Sequence, residues 1–168
     1  VQNDFFFTFG SKKLRKFMRY EPLLPKGDHV LTLEEVYSIC VEAFHPQNAR
    51  REKLFLRFTE FIIYFRGLGF KPQEIWIDGS FVTSKPEPGD IDLLIILHMG
   101  EVALLPRDVQ DKIFTEFGSG PAKRNFDCDA HLSPSTDSER IDYYLSLFRN
   151  FQKGSSFRKK GIIKLKNP

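Results

Sequence analysis

The segment Asp90–His98, DIDLLIILH, limits the folds open to this chain more than any other stretch. A nearly continuous apolar run of this length is the signature of a central strand buried on both faces. It opens with Asp90-Ile91-Asp92. Strand side chains alternate, so Asp90 and Asp92 are expected on one face while Ile91 points into the core. Two carboxylates on one face, at the end of a buried strand, repel each other unless a cation sits between them. Hard oxygen ligands of this kind suit Mg²⁺, which takes one or two carboxylates plus phosphate oxygens. Upstream, Glu74–Ser80 (EIWIDGS) reads as a short strand ending in a Gly-Ser turn. Gly79 lets the backbone approach a phosphate closely, and the local N–H groups and the Ser80 hydroxyl can donate to its oxygens.

The rest of the chain supplies helices around these strands. Thr32 with Glu35 forms a capping box before Leu33, Val36, Tyr37, Cys40, Ala43 and Phe44, which recur at helical spacing. His45-Pro46 ends that helix. A second helix is expected from about Asn48 to Leu68, with Leu54, Phe58, Phe61, Ile62 and Phe65 as its buried stripe and Gly67 and Gly69 closing it. Phe occurs 18 times, and this stripe takes much of that excess as core rather than as a ligand site. Pro106–Gly118 predicts a helix with Val109, Ile113, Phe114 and Phe117 on one side. Lys123–Ser133 alternates like a strand. Thr136–Phe151 predicts a helix with a second capping box, Thr136 and Glu139. Phe157–Lys166 predicts a last strand, polar enough to sit at an edge. Glu21–His29, with two prolines and a glycine, reads as an irregular loop, and Phe5–Phe9 as a short strand or packing arm. The expected architecture is one α/β (or α+β) domain with a small mixed sheet and an N-terminal helical lobe.

The pattern Asp78-Gly79-Ser80, nine residues, then Asp90-Ile91-Asp92 resembles the nucleotidyltransferase superfamily with the DNA polymerase β-like fold. Leu24-Pro25, Gly27 and His29 before a Thr-capped helix, Arg50-Arg51 opening the next, and a late Lys160-Gly161-Ile162-Ile163 strand narrow this. Together they look like a bacterial family of small nucleotidyltransferase-like proteins. The resemblance implies a catalytic palm over residues 71–168, preceded by an arm and two helices over residues 1–70. It implies that Asp90 and Asp92 bind two Mg²⁺ (or Mn²⁺) ions, roughly 3.5–4 Å apart in two-metal sites. A third carboxylate on a later strand would help hold one metal and orient the attacking hydroxyl. Asp129 is preferred for that role, with Asp127 as the alternate on the same strand and face. The implied reaction is attack of an acceptor hydroxyl on the α-phosphate of an NTP such as ATP, with pyrophosphate leaving. Gly79, Ser80, Ser84 and Lys85 would contact the triphosphate. Little chain follows Asp129, so acceptor choice is expected from the helical lobe, the basic ends or a partner chain. At the level of fold analogy, such minimal enzymes in bacteria often belong to toxin–antitoxin or phage-defence pairs.

Charge sharpens these expectations. Residues 85–142 carry twelve acids and six bases, whereas Lys12, Lys13, Arg15, Lys16 and Arg19 form a basic cluster and seven bases follow Asp142 with no acid. An acidic middle between basic ends suits a metal site flanked by surfaces for RNA or a partner protein. Lys123 and Arg124 could neutralise phosphate, and His131 would share a face with Asp129. No run reaches the roughly 18–20 apolar residues of a membrane span, and the start does not read as a signal peptide. Two cysteines, Cys40 and Cys128, suit a reducing cytoplasm and do not look nucleophilic. Two other classes compete with the enzyme: a non-catalytic regulatory or antitoxin-like module on the same fold, and a metal-dependent glycosyltransferase using Asp-apolar-Asp. The Gly-Ser spacing argues against the second.

Overall fold

The structure is a computed structural model that describes residues 20–153 and 156–168. The Phe5–Phe9 segment and the basic cluster Lys12–Arg19 lie outside the described residues. The fold is mixed α and β. Its elements are β1 (Gly27–Leu31), α1 (Leu33–Cys40), α2 (Ala49–Gly67), β2 (Glu74–Asp78), β3 (Ile91–Leu97), α3 (Met99–Val102), α4 (Arg107–Glu116), α5 (Ser119–Phe126), β4 (Cys128–Pro134), α6 (Ser138–Arg149), β5 (Asn150–Lys153), β6 (Ser156–Lys159) and β7 (Gly161–Leu165). Short 3-10 turns cover Glu42–Phe44 and Gly79–Val82.

Five strands form one mixed sheet in the order β1-β7-β2-β3-β4. β1 runs parallel to β7 and β3 parallel to β4, while β2 is antiparallel to both of its neighbours. β5 and β6 form a separate hairpin. The central strand β3 is buried on both faces, and alternation divides its side chains between two hydrophobic layers. Ile91, Leu93, Ile95 and Leu97 join Ile75, Ile77, Ile163 and Leu165 on one face. That face is closed by Val36 and Cys40 from α1, Leu54, Phe58, Phe61, Ile62 and Phe65 from α2, and Ile113, Phe117 and Ala122 from the α4–α5 region. The two N-terminal helices therefore share one core with the sheet. On the opposite face, Leu94 and Ile96 join Trp76 and Ile162 beneath Leu145 and Phe148 of α6.

Local sequence accounts for the long elements. The Thr32–Glu35 capping box is present in both directions at the start of α1. α2 repeats buried residues at helical spacing, and its stripe begins with a charged residue, Arg51. The Phe excess becomes an aromatic cluster in which Phe61 meets Phe117 at 5.2 Å and Phe126 at 5.5 Å, both edge to face. Cys40 and Cys128 are buried free thiols, and burial pushes the Cys40 thiol up to about 12, far from a nucleophilic range.

Several expectations are corrected. The expected loop Glu21–His29 contains the start of β1, an edge strand whose apolar alternation is interrupted by Asp28 and His29. The expected strand Lys123–Ser133 is divided: α5 runs through Phe126, Asp127 turns the chain in the left-handed region at φ 55°, and β4 begins at Cys128. Phe114 is exposed rather than part of the α4 stripe. α6 is capped by the Asp137 side chain, which accepts from the Arg140 N–H at 3.1 Å, and not by Thr136. The expected edge strand Phe157–Lys166 splits into β6 and β7, and β7 is internal to the sheet. Its lysines are accommodated there by acidic partners: Lys164 Nζ lies 2.5 Å from Glu74 Oε1, and Lys160, which precedes it, faces Asp78.

Candidate functional site

Register places the acidic side chains. Asp78 pairs across β2 and β3 with Asp92, and Asp92 pairs across β3 and β4 with Asp129. These three residues form one row across three adjacent strands, which run roughly 4.8 Å apart. The neighbouring row on the same face is Trp76, Leu94 and His131, whose apolar members lie in the layer beneath α6. The aspartate row thus continues the α6 face beyond the apolar layer. Asp90 lies just before β3, next to it.

Gly79 turns the chain out of β2 with φ 81°, a conformation that side-chain-bearing residues rarely adopt. A Cβ added there would lie 1.7 Å from Asp92 Oδ2. The close approach that Gly79 permits in this structure is therefore by the Asp92 carboxylate. Ser80 follows in the first turn of the 3-10 segment, where its carbonyl accepts from the Thr83 hydroxyl at 2.8 Å.

Two lysines from distant segments enter the acidic row. Lys160, only 5% exposed, places Nζ 2.7 Å from Asp78 Oδ1 and 3.5 Å from the Gly79 carbonyl. Lys123 reaches in from α5, with Nζ 2.6 Å from Asp90 Oδ2 and 3.1 Å from Asp129 Oδ2. The hydrogen bonds to Asp90 and Asp129 push the Lys123 ammonium well above its ordinary range. Burial pushes the Asp78 carboxyl up to about 6 in spite of Lys160. Asp92 rises to about 6 as well, first from burial and then from the charges of Asp90, Asp78 and Asp129, with Lys160 pulling the other way. His131 stands behind Asp129, its Nε2 4.0 Å from Asp129 Oδ1, and its ring stacks on Tyr144 at 4.5 Å. Burial holds the His131 imidazole below its usual value.

The remaining expected site residues are placed elsewhere or act through their backbone. Asp127 does not share a strand face with Asp129. It caps α5, its carbonyl accepts from the Ile91 N–H at 3.0 Å, and its carboxylate lies 3.7 Å from Arg50. The Ser84 hydroxyl accepts from the Glu21 N–H at 2.9 Å. Lys85 lines a surface cleft with Arg50, Tyr20 and Glu87. The segment between the two motif halves is held by Arg51, which is fully buried. Its guanidinium donates to the carbonyls of Cys40 (2.6 Å), Phe81 (2.7 Å), Thr83 (2.5 Å) and Lys85 (2.6 Å), and lies 3.7 Å from the centre of the Phe44 ring. Arg51 takes carbonyls as partners, and burial draws its pKa down to about 10. Its position three residues before Leu54, in the buried stripe of α2, was the sequence signal for that role.

The donor set suits a hard divalent cation in kind: carboxylate oxygens on adjacent strands, with Asp92 held among like charges. As the side chains stand, no set of three or more His, Cys, Asp or Glu among the described residues is drawn together closely enough to hold a metal ion. The Lys123 ammonium occupies the gap between Asp90 and Asp129 instead. Asp90, Asp92 and Asp129 are the residues that would hold a metal, and Asp127 is not in their row.

The chain belongs to a family of unknown function (DUF6932), which matches residues 16–166. No curated protein and no solved structure matches it. No helix among the described residues is long and apolar enough to cross a membrane.

Proposed function

We propose that this chain is a metal-dependent nucleotidyltransferase, moving NMP from an NTP to a hydroxyl of an RNA, protein or small-molecule acceptor. The observation that carries the reading is the in-register row Asp78–Asp92–Asp129, set beside Asp90 and directly against the Gly79-Ser80 turn. Mg²⁺ or Mn²⁺ held by Asp90, Asp92 and Asp129 would supply charge stabilisation to an in-line displacement. The chain's own groups do the rest. The backbone N–H groups at Gly79-Ser80 and the Ser80 hydroxyl bind phosphate oxygens. Arg51 fixes the Phe81–Lys85 segment that follows them. Asp129 orients the acceptor hydroxyl and takes up its proton as that oxygen bonds to the α-phosphorus. The bond from the α-phosphorus to the bridging oxygen breaks, and pyrophosphate departs with the electron pair.

A second reading has one observation in its favour. Lys123 and Lys160 already neutralise part of the acidic row, as expected of a binding module on this fold that performs no chemistry. Incubation with each labelled NTP, Mg²⁺ or Mn²⁺, and total RNA or lysate separates the two. Label transfer that is lost in Asp90→Ala/Asp92→Ala supports the enzyme. Absence of both transfer and metal-dependent NTP binding, across nucleotides and metals, overturns it and leaves the module.

A further inference from the structure

The two lysines in the acidic row differ in one physical respect. Lys160 is enclosed, 5% exposed, and bound to both Asp78 and the Gly79 carbonyl. Little of it reaches water. The Lys123 side chain is 50% exposed and stands on the surface of α5. Water reaches the ammonium directly, and the long side chain loses freedom in the pair, so exposure of this end weakens its hold on Asp90 and Asp129. Lys160 is a fixed counter-ion, and Lys123 is one that can swing away at low cost.

The position of Lys123 gives that mobility a consequence. Its ammonium spans Asp90 Oδ2 and Asp129 Oδ2, carboxylates on either side of the β3–β4 pair, with Asp92 registered against Asp129. A divalent cation held by Asp90, Asp92 and Asp129 needs the same oxygens. An ammonium and a metal ion cannot both lie within about 4 Å of them without strong like-charge repulsion. We propose that Lys123 is a displaceable counter-ion that closes the carboxylate cluster and competes with a divalent cation for it, so that entry of the metal expels this side chain toward solvent. The proposal rests on the metal-dependent reading above and adds a residue that sets how readily the site loads.

The test measures Mn²⁺ binding to the chelator-treated protein by electron paramagnetic resonance of the free ion, without nucleotide or acceptor. Lys123→Met should bind Mn²⁺ at least about tenfold more tightly than the unaltered chain. Lys123→Arg, which can still span the two carboxylates, should return most of the way to the original affinity. The exposed Lys71 provides the charge control, and Lys71→Met should leave affinity unchanged. A second measurement does not depend on any variant folding. Acetylation of Lys123 by acetic anhydride, read by peptide mass spectrometry, should accelerate several-fold when Mg²⁺ is added, with Lys71 unaffected. If the unaltered chain binds Mn²⁺ but Lys123→Met binds no more tightly, or Lys123 reactivity ignores Mg²⁺, displacement is wrong and the metal site survives. If neither protein binds Mn²⁺, displacement is wrong, and the metal-dependent reading then stands or falls on the labelled-nucleotide experiment above.

Discussion

The two faces of the sheet solve the same burial problem to different extents. On one face, side chains from α1, α2 and the α4–α5 region cover the apolar residues of β2, β3 and β7, and the aromatic cluster around Phe61 fills the space between them. On the other, a single helix, α6, covers Trp76, Leu94, Ile96 and Ile162. The next row outward is aspartate on three consecutive strands. The closed face gains stability from the apolar side chains it buries. The half-covered face spends stability to hold charge where packing stops.

Three substitutions probe this contrast in order of expected size. On the closed side, Arg51→Met removes a guanidinium that satisfies four backbone carbonyls, and should destabilise by about 3–5 kcal/mol in urea unfolding. A loss below about 1 kcal/mol would mean that the Phe81–Lys85 segment is not held from that side. At the boundary, Gly79→Ala forces a side chain into positive φ and against Asp92 Oδ2, with an expected cost of about 2 kcal/mol. Pairing it with Asp92→Gly should recover part of that loss, and no recovery would place the strain in the backbone alone.

On the open side the sign reverses. Asp92 is raised from 3.8 to about 6, so the folded chain holds this proton more tightly than the unfolded chain does. The stabilisation is complete below about pH 4 and disappears as pH rises through about 6. Asp92→Asn should therefore stabilise the metal-free protein above pH 6, by about 1–2 kcal/mol, and flatten the decline between pH 4 and 6. Asp78, raised for the same first reason, retains its share of that decline. Urea unfolding at pH 4.5 and 7.5 in the presence of a chelator measures both. Destabilisation by Asp92→Asn at pH 7.5 would erase the contrast between the faces.

Local patterns were legible in proportion to how local their causes are. β3, α2 and the α1 cap follow from runs and spacings within one segment, and they formed near the expected boundaries. β1 was hidden because its pairing strand, β7, lies far along the chain and its own pattern is broken by charge. β7 looked like an edge because Lys160 and Lys164 read as solvent-facing, whereas Asp78 and Glu74 partner them. Lys123–Phe126 imitated a strand, and the left-handed turn at Asp127 that separates α5 from β4 leaves no apolar signature. Of the expected site residues, Gly79, Asp90, Asp92 and Asp129 are brought together by strand register and the turn after β2, while Asp127, the alternate to Asp129, is set apart by the left-handed turn. Lys123 and Lys160 could not be assigned to the acidic row, because no spacing in the sequence ties an α5 lysine to Asp90 or a pre-β7 lysine to Asp78.

The strand order also sets a schedule for assembly on the ribosome. β7 sits between β1 and β2, so Gly27 waits for Gly161 and Ile77 waits for Ile163 before either pairing can form. Until that late segment emerges, the nascent chain carries β1 and β2 with unpaired backbone edges, and Asp78 lacks the ammonium that will enclose it. High contact order of this kind slows folding and prolongs exposure of adhesive strand edges. Nascent chains stalled before Lys160 should consequently engage chaperones, and emergence of Lys160 with the five-residue strand that follows it completes the sheet and delivers the charge at its acidic end together.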